Sequence, residues 1–198
     1  MDVMEIEGWK KTRRAATYRK GLSPRDTDAI RELSRKGGII SGVGPDVDRL
    51  IAASKITAYR FRSAVKNPKP LILDFGYLKA ANDFTPIEIT VGDNTEAVVI
   101  EQVYVPKTVH GFAGVQLKFD IGKNSKVTLV QVQDVNSNLS FINDLGAVQH
   151  EDSEFDVVTA IISGGTTYYG SESNLYGKRA RYNHDIGYMV KGNEKLDM

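Results

Sequence analysis

The chain has 198 residues, of which 41% are hydrophobic and 26% are charged, and this is the composition of an ordinary globular protein. It contains no cysteine, which excludes disulfides and any zinc or iron–sulfur site built on its own thiolates. No apolar run reaches the roughly 18 residues that a membrane span needs, and the N-terminus does not have the pattern of a secretory signal. We therefore expect a cytoplasmic protein.

The formal net charge of +1 is unevenly distributed along the chain. Residues 1–66 contain 15 Lys and Arg against 8 Asp and Glu, whereas residues 67–198 contain 11 against 17. A basic first third followed by an acidic remainder indicates two structural parts. We place these parts at residues 1–60 and 61–198.

The N-terminal region, residues 1–60, is predicted to be basic and partly helical. Its first twenty residues have the composition of a solvated terminus. A helix is predicted to begin at the N-cap Ser23, with Pro24 in the first helical position, and to end at Gly37. A second, short helix is predicted to begin at Pro45.

The rest of the chain is a succession of short segments rich in Val, Ile, Thr, Tyr and Phe, which is typical of β-strands. Two of these segments nearly repeat each other: ITVGDNTEAVVIEQVYV at 89–105 and FDIGKNSKVTLVQVQDV at 119–135. Thr95, Ser125, Ser153 and Ala180 occupy equivalent places, at offsets of 30, 28 and 27 residues. Such a regular interval predicts a solenoid, in which each coil stacks on the one before it.

We therefore predict a mostly β protein whose residues 61–198 form a right-handed parallel β-helix of four to five coils. The apolar runs 97–100 and 160–162 are interpreted as parallel strands that are buried on more than one side. Gly92 and Asn94 on one coil, and Gly122 and Asn124 on the next, are predicted to supply the left-handed backbone at matching corners. A sandwich or jelly roll of antiparallel strands is the alternative architecture.

The stretch from about residue 86 to residue 198 resembles the SufB/SufD family, the β-helical scaffold subunits of the SUF iron–sulfur assembly system. The likeness is carried by EITVGDNTEAVVIEQVYV, LKFDIGKNSKVTLVQVQD, EFDVVTAIISGG and NLYGKRARYNHDIGYMVKGNEKLDM, which follow one another in the family's order. Glu101-Gln102 and Val132-Gln133 fall at places that match the family's pattern.

The resemblance implies a non-catalytic scaffold rather than an enzyme. In this family SufB-like and SufD-like β-helices pair, a SufC-type ATPase binds helical segments C-terminal to the β-helix, and the complex handles the iron–sulfur cluster transiently. This sequence has no counterpart of the family's later coils, of its Cys, His and Glu region or of its ATPase-docking helices. We therefore expect a chain truncated at its C-terminus, with no catalytic, cofactor-binding or metal-ligating residues of its own. The resemblance leaves open whether it forms a homodimer or a heterodimer, and the absence of cysteine favours a SufD-like role.

Two other functions stay open. A glycan-active β-helix enzyme would need paired carboxylates. The acidic candidates, which we expect at a solvated corner and edge, are Asp144, Glu151, Asp152, Glu154 and Asp156. A nucleic-acid-binding protein would use the basic segment WKKTRRAATYRK, in which Trp9 and Tyr18 could stack on bases.

The three histidines are interpreted as exposed turn residues rather than metal ligands. His150 and His184 each have acidic neighbours, but the 34 residues between them do not match the coil interval, so we expect them to lie apart. His110 has no such neighbours. Ser163, which precedes Gly164-Gly165, is predicted to lie at a corner of the coil rather than in a catalytic turn.

Overall fold

The structure, a computed structural model, describes residues 7–14, 58–79 and 81–198. Within these ranges the chain forms ten β-strands and no helix. The strands are β1 (Lys10–Arg14), β2 (Ala58–Ser63), β3 (Leu71–Gly76), β4 (Ala81–Val91), β5 (Glu96–Val105), β6 (Gly111–Ile121), β7 (Lys126–Gln149), β8 (Glu154–Leu175), β9 (Arg181–Tyr188) and β10 (Lys195–Asp197).

The strands stack into a β-solenoid of about five turns, with parallel pairing from coil to coil. The front face consists of β3, β5, residues 126–135 of β7, residues 154–161 of β8, and β9. The back face consists of β2, β4, β6, the second halves of β7 and β8, and β10. Within the described residues the one antiparallel pair is β1 with β2. The predicted parallel solenoid is confirmed, and an antiparallel sandwich is wrong.

The register of the coils follows the intervals read from the sequence. Glu96 pairs with Lys126, Lys126 with Glu154, and Glu154 with Arg181. The residue just before each of these four, from which the offsets were counted, therefore also lies above its equivalent on the next coil. The left-handed corner that follows from this register is present on each of the four coils. At these corners the residues with positive φ are Asn94 (54°), Asn124 (52°), Asp152 (56°) and Arg179 (61°). Gly92 and Gly122 do not have positive φ, so the prediction is wrong for the two glycines.

Hydrogen bonds between corners hold the coils in this register. The Ser125 hydroxyl donates to the carbonyl of Gly92 (2.7 Å) and accepts from the backbone N–H of Thr95 (3.1 Å). The Asp93 carboxylate accepts from the backbone N–H of Lys123 on the next coil (2.7 Å). The repeated Gly-x-Asn-Thr/Ser sequence is therefore the sequence of a corner that bonds to its own copy one coil away.

The core is a set of inward-facing columns, because every second residue of a strand points to the same side. On β5 the inward residues Ala97 and Val99 are buried, whereas the outward residues Val98 and Ile100 are only partly buried. The apolar run 97–100 therefore does not mark a strand buried on both sides, and that interpretation is wrong. On the back face, by contrast, outward residues such as Gln116 and Ile142 are also buried.

The described part of the N-terminal region belongs to the solenoid. Trp9 packs against the hydrophobic core, and its indole N–H donates to the carbonyl of Lys69 (2.8 Å). Residues 7–14 are therefore paired with the solenoid rather than a free terminus, although Glu7, Lys10 and Lys11 are exposed. The boundary predicted between residues 60 and 61 falls inside β2, and the predicted helices at 23–37 and from Pro45 lie outside the described residues. In the described part of the chain, no helix has the length and hydropathy of a membrane span.

Gly122 offers a test of the corner stack, because its Cα lies directly against the corner of the coil before it. A Cβ at residue 122 would approach the backbone nitrogen of Asp93 to 2.7 Å. We expect Gly122→Ala to lower the free energy of unfolding by about 1–3 kcal/mol, since backbone cannot move aside as a side chain can. Gly187→Ala is the matched control, because a Cβ there meets nothing within 4 Å. Urea unfolding of both variants measures the difference, and equal stabilities would contradict the tight corner packing.

Candidate functional site

One inward column of the front face is polar where its neighbours are apolar. Register places Leu73, Glu101, Gln131 and Thr159 at the same position on four successive coils. Glu101 and Gln131 are 0% exposed and Thr159 is 1% exposed. A carboxyl group is thus enclosed in the core of the solenoid. Buried carboxyl groups are rare without a partner, so its surroundings decide what it can do.

Glu101 is bound by amide groups and contacts no cation among the described residues. The side-chain amide of Gln131 donates to one carboxylate oxygen, and the Asn143 amide reaches both oxygens at 3.1 and 3.2 Å. Burial raises the pKa of Glu101 from its ordinary value of 4.5 to about 7, against the opposing effect of the hydrogen bonds from Gln131 and Asn143. The charged and neutral forms of this core residue therefore exchange near neutral pH.

The hydrogen-bonded network continues from Glu101 towards the last coil. The Gln131 carbonyl oxygen accepts from the hydroxyls of Thr159 (2.8 Å) and Tyr169 (2.7 Å). Nε2 of His184 lies 3.0 Å from the Thr159 hydroxyl and 3.3 Å from the Tyr169 hydroxyl. A continuous set of hydrogen bonds thus connects a buried carboxyl group with an imidazole on β9.

His184 is surrounded by hydroxyl groups on both sides of its ring. Its Nδ1 lies 3.1 Å from the Tyr182 hydroxyl and 3.3 Å from the Ser171 hydroxyl. Burial lowers the pKa of His184, although the charge of Asp185 acts in the other direction. Burial also raises the pKa of Tyr169. The neutral forms of both groups are therefore favoured, and the network contains one acid, Glu101, that titrates near neutrality.

Gln133 is a further buried polar residue on the inward side of β7, outside this network. It is 0% exposed, and neither its amide nitrogen nor its amide oxygen has a hydrogen-bond partner among the described residues. Val103 and Ile161 lie beside it in the column. An unsatisfied buried amide costs roughly 1–3 kcal/mol.

The histidines are separated, as predicted, but they differ in their surroundings. His150 lies at a corner, where its Nε2 is 3.0 Å from the Asp120 carboxylate, and His110 is exposed between strands. The interpretation as exposed turn residues is wrong for His184, which lies within β9 and points inward. The part of the chain that the structure describes contains no group of three or more His, Asp and Glu side chains that could hold a metal ion.

The acidic candidates for glycan chemistry do not form a pair of free carboxylates. Asp144 is 0% exposed and accepts from the Gln116 amide (2.6 Å), so its expected place at a solvated corner is wrong. Glu151 and Asp152 both contact Arg179 at the corner. Nζ of Lys126 lies 3.6 Å from the carboxylate of Glu154 and 3.3 Å from that of Asp156. Ser163 lies where β8 passes from the front to the back face, in agreement with the predicted corner.

These features define a class of protein: a parallel β-solenoid with a polar column in its core. The chain belongs to the SufBD core domain family of the SUF system of FeS cluster assembly, whose family model matches residues 78–198, well over half of the chain. No curated protein and no solved structure matches the chain. The matched range begins just after β3 and includes every residue of the polar column from Glu101 onward.

The raised pKa of Glu101 predicts how stability depends on pH. Between about pH 4.5 and 7 the folded protein holds a proton on Glu101 that the unfolded chain has released, so the free energy of unfolding falls as the pH rises. The difference between the two pKa values corresponds to ~3 kcal/mol at most. Glu101→Gln removes this titration while it keeps a hydrogen-bonding side chain of the same length.

We expect the free energy of unfolding of Glu101→Gln, minus that of the unchanged protein, to increase between pH 5 and 8. Urea unfolding at several pH values measures this slope, which is independent of any constant effect of the substitution. Glu172→Gln is the matched control, because Glu172 is an exposed glutamate on β8. If the pH dependence of the unfolding free energy is the same for the Glu101 and Glu172 variants, Glu101 is ionised over the whole range from pH 5 to 8.

Proposed function

We propose that this protein is a non-catalytic scaffold subunit for iron–sulfur cluster assembly, which pairs with a second β-helix subunit. The observation that carries the proposal is the match of residues 78–198 to the SufBD core domain, on a chain whose coils stack in register. A stacked solenoid suits such a role because each coil is fixed by its neighbours and the whole presents a continuous surface.

The cluster is the cargo of the assembly, and this chain's role would be to support the partner that holds it. The absence of cysteine from the sequence favours a SufD-like role, since thiolates are the usual iron ligands. A SufC-type ATPase would be a further component of the same complex. The complex would work in the cytoplasm, and its β-helix pair would be either homodimeric or heterodimeric.

The two alternatives receive less support. Glycan hydrolysis needs two free carboxylates facing each other, whereas the partly buried acidic candidates are in ion pairs with Lys126 or Arg179. Nucleic-acid binding would use Trp9 as a stacking surface, but Trp9 is packed against the core and bonded to Lys69. Weak or absent salt-dependent binding to RNA is therefore expected.

The proposal predicts a specific complex. We expect the chain, co-expressed with a SufB-like subunit, to elute with it from size-exclusion chromatography at the mass of a one-to-one pair. An unrelated parallel β-helix protein, such as a polysaccharide lyase, is the control for unspecific contact between solenoids. If the chain elutes alone beside the SufB-like subunit and is also monomeric by light scattering, the pairing role is wrong.

A further inference from the structure

The outward side of the front face carries an apolar ridge. Register places Ile72, Ile100, Val130 and Val158 one above another on four successive coils, and we call these four residues the front ridge. Val158 is 45% exposed and the other three are partly buried. Since neighbouring strands lie ~4.8 Å apart, the ridge is about 14 Å long.

The front ridge is widened on one side by Val132 and Ala160, which are also outward and only partly buried. The front ridge runs along the side of the solenoid, so its residues are the same whatever follows the last coil. The outward positions of the back face differ, since Gln116, Ile142 and Asp144 there are at most 5% exposed. An apolar strip that crosses four coils and stays partly open to solvent is a candidate interaction surface.

Carboxylates stand at both ends of the front ridge. Asp185 continues the column beyond Val158, and Asp74 lies two residues after Ile72 on β3. Both are exposed, and neither has an ion-pair partner within residues 7–14, 58–79 and 81–198. They stand four coils apart, about 19 Å along the axis of the solenoid.

The rest of the same face is also acidic. Its outward positions hold six carboxylates and two cations. The carboxylates are Asp74, Glu96, Asp134, Glu154, Asp156 and Asp185, and the cations are Lys126 and Arg181. Lys126 is already paired with Glu154 and Asp156. A surface with this charge favours a basic partner and disfavours a second copy of the same face.

We propose that the front ridge binds a short amphipathic helix of a partner protein, apolar on one side and carrying Lys or Arg at both ends. The 5.4 Å pitch of an α-helix is close to the ~4.8 Å interval of the coils, so side chains one turn apart can lie against successive ridge residues. A helix residue and the one eleven positions later lie on the same side of the helix about 17 Å apart, so long Lys or Arg side chains at these positions can reach Asp74 and Asp185. This binding is separate from the pairing with a second β-helix subunit and does not rest on it.

The test uses a fluorescent synthetic helical peptide with one leucine stripe and a lysine pair at each end. Its control is the same peptide with glutamates in place of the lysines. We expect the lysine peptide to bind in a fluorescence-anisotropy titration, the glutamate peptide to bind at least about tenfold more weakly, and the affinity of the lysine peptide to fall as salt is raised.

Two double variants assign the binding to this surface. Val130→Thr with Val158→Thr keeps β-branched side chains but removes apolar surface, and we expect about a tenfold loss of affinity. Asp74→Asn with Asp185→Asn should lose about threefold and most of the salt dependence, as expected for exposed ion pairs. Leu175→Thr and Glu172→Gln, exposed residues on the back-face half of β8, are controls that should not change binding.

Equal binding of the lysine and glutamate peptides to the unchanged protein would overturn the proposal, and this comparison needs no variant to fold. Unchanged affinity in folded Val130→Thr with Val158→Thr would overturn it as well. If light scattering shows that the protein self-associates and that this double variant abolishes the association, the occupant is a second copy and the helical partner is wrong. Loss of the β-helix pair with a SufB-like subunit in the same variant would assign the ridge to that subunit instead.

Discussion

The structure depends on one constraint: equivalent residues of successive coils lie directly above one another in parallel register. A single coil cannot bury its apolar side chains, because it has too few neighbours. Once Leu71, Val99, Leu129 and Val157 are stacked, they form one column of a continuous core. The same register brings like corners together, so Asn94 meets Asn124 and Asp152 meets Arg179. Both the inward and the outward surfaces follow from this single repeat.

The polar column shows what the register does to a charged side chain. Glu101 takes an inward position between Val99 and Val103, where neither water nor a described cation reaches it. Its hydrogen bonds come from Gln131 and Asn143 on the next coil, and the hydroxyl of Thr159 on the coil after that donates to Gln131, so this network connects three coils. The cost of the buried charge is reduced because the carboxyl can take up a proton near pH 7. In the scaffold role that we propose, the column is a structural element of the core rather than a site for the cluster.

Much of the fold could be predicted from the spacing of residues alone. Part of the candidate site was missed, although the same spacing could have located it. The offsets from Thr95 to Ala180 gave the register of the strands that follow them, because a constant interval means stacked copies. In a strand every second side chain points to the same side, so counting from Ala97 would have placed the Glu101 side chain in the core. The same register pairs His184 with Val157, so it would have placed His184 on the inward side as well. These residues were missed because apolar runs were interpreted as burial on two sides. Asp144 could not have been found, since it is outward on its strand and its burial depends on what covers the back face.

Cross-linking at one stacked pair tests the register most directly, because the sequence has no cysteine to interfere. Gln102 and Val132 are outward partners on adjacent coils, and such neighbours lie within the Cα separation that a disulfide bridges. Gln102→Cys with Val132→Cys should form the disulfide in a glutathione redox buffer, as judged by mass. Gln102→Cys with Thr128→Cys, four residues out of register, should keep its free thiols. Equal oxidation of the two pairs, or oxidation of the second alone, would contradict a stack of parallel coils.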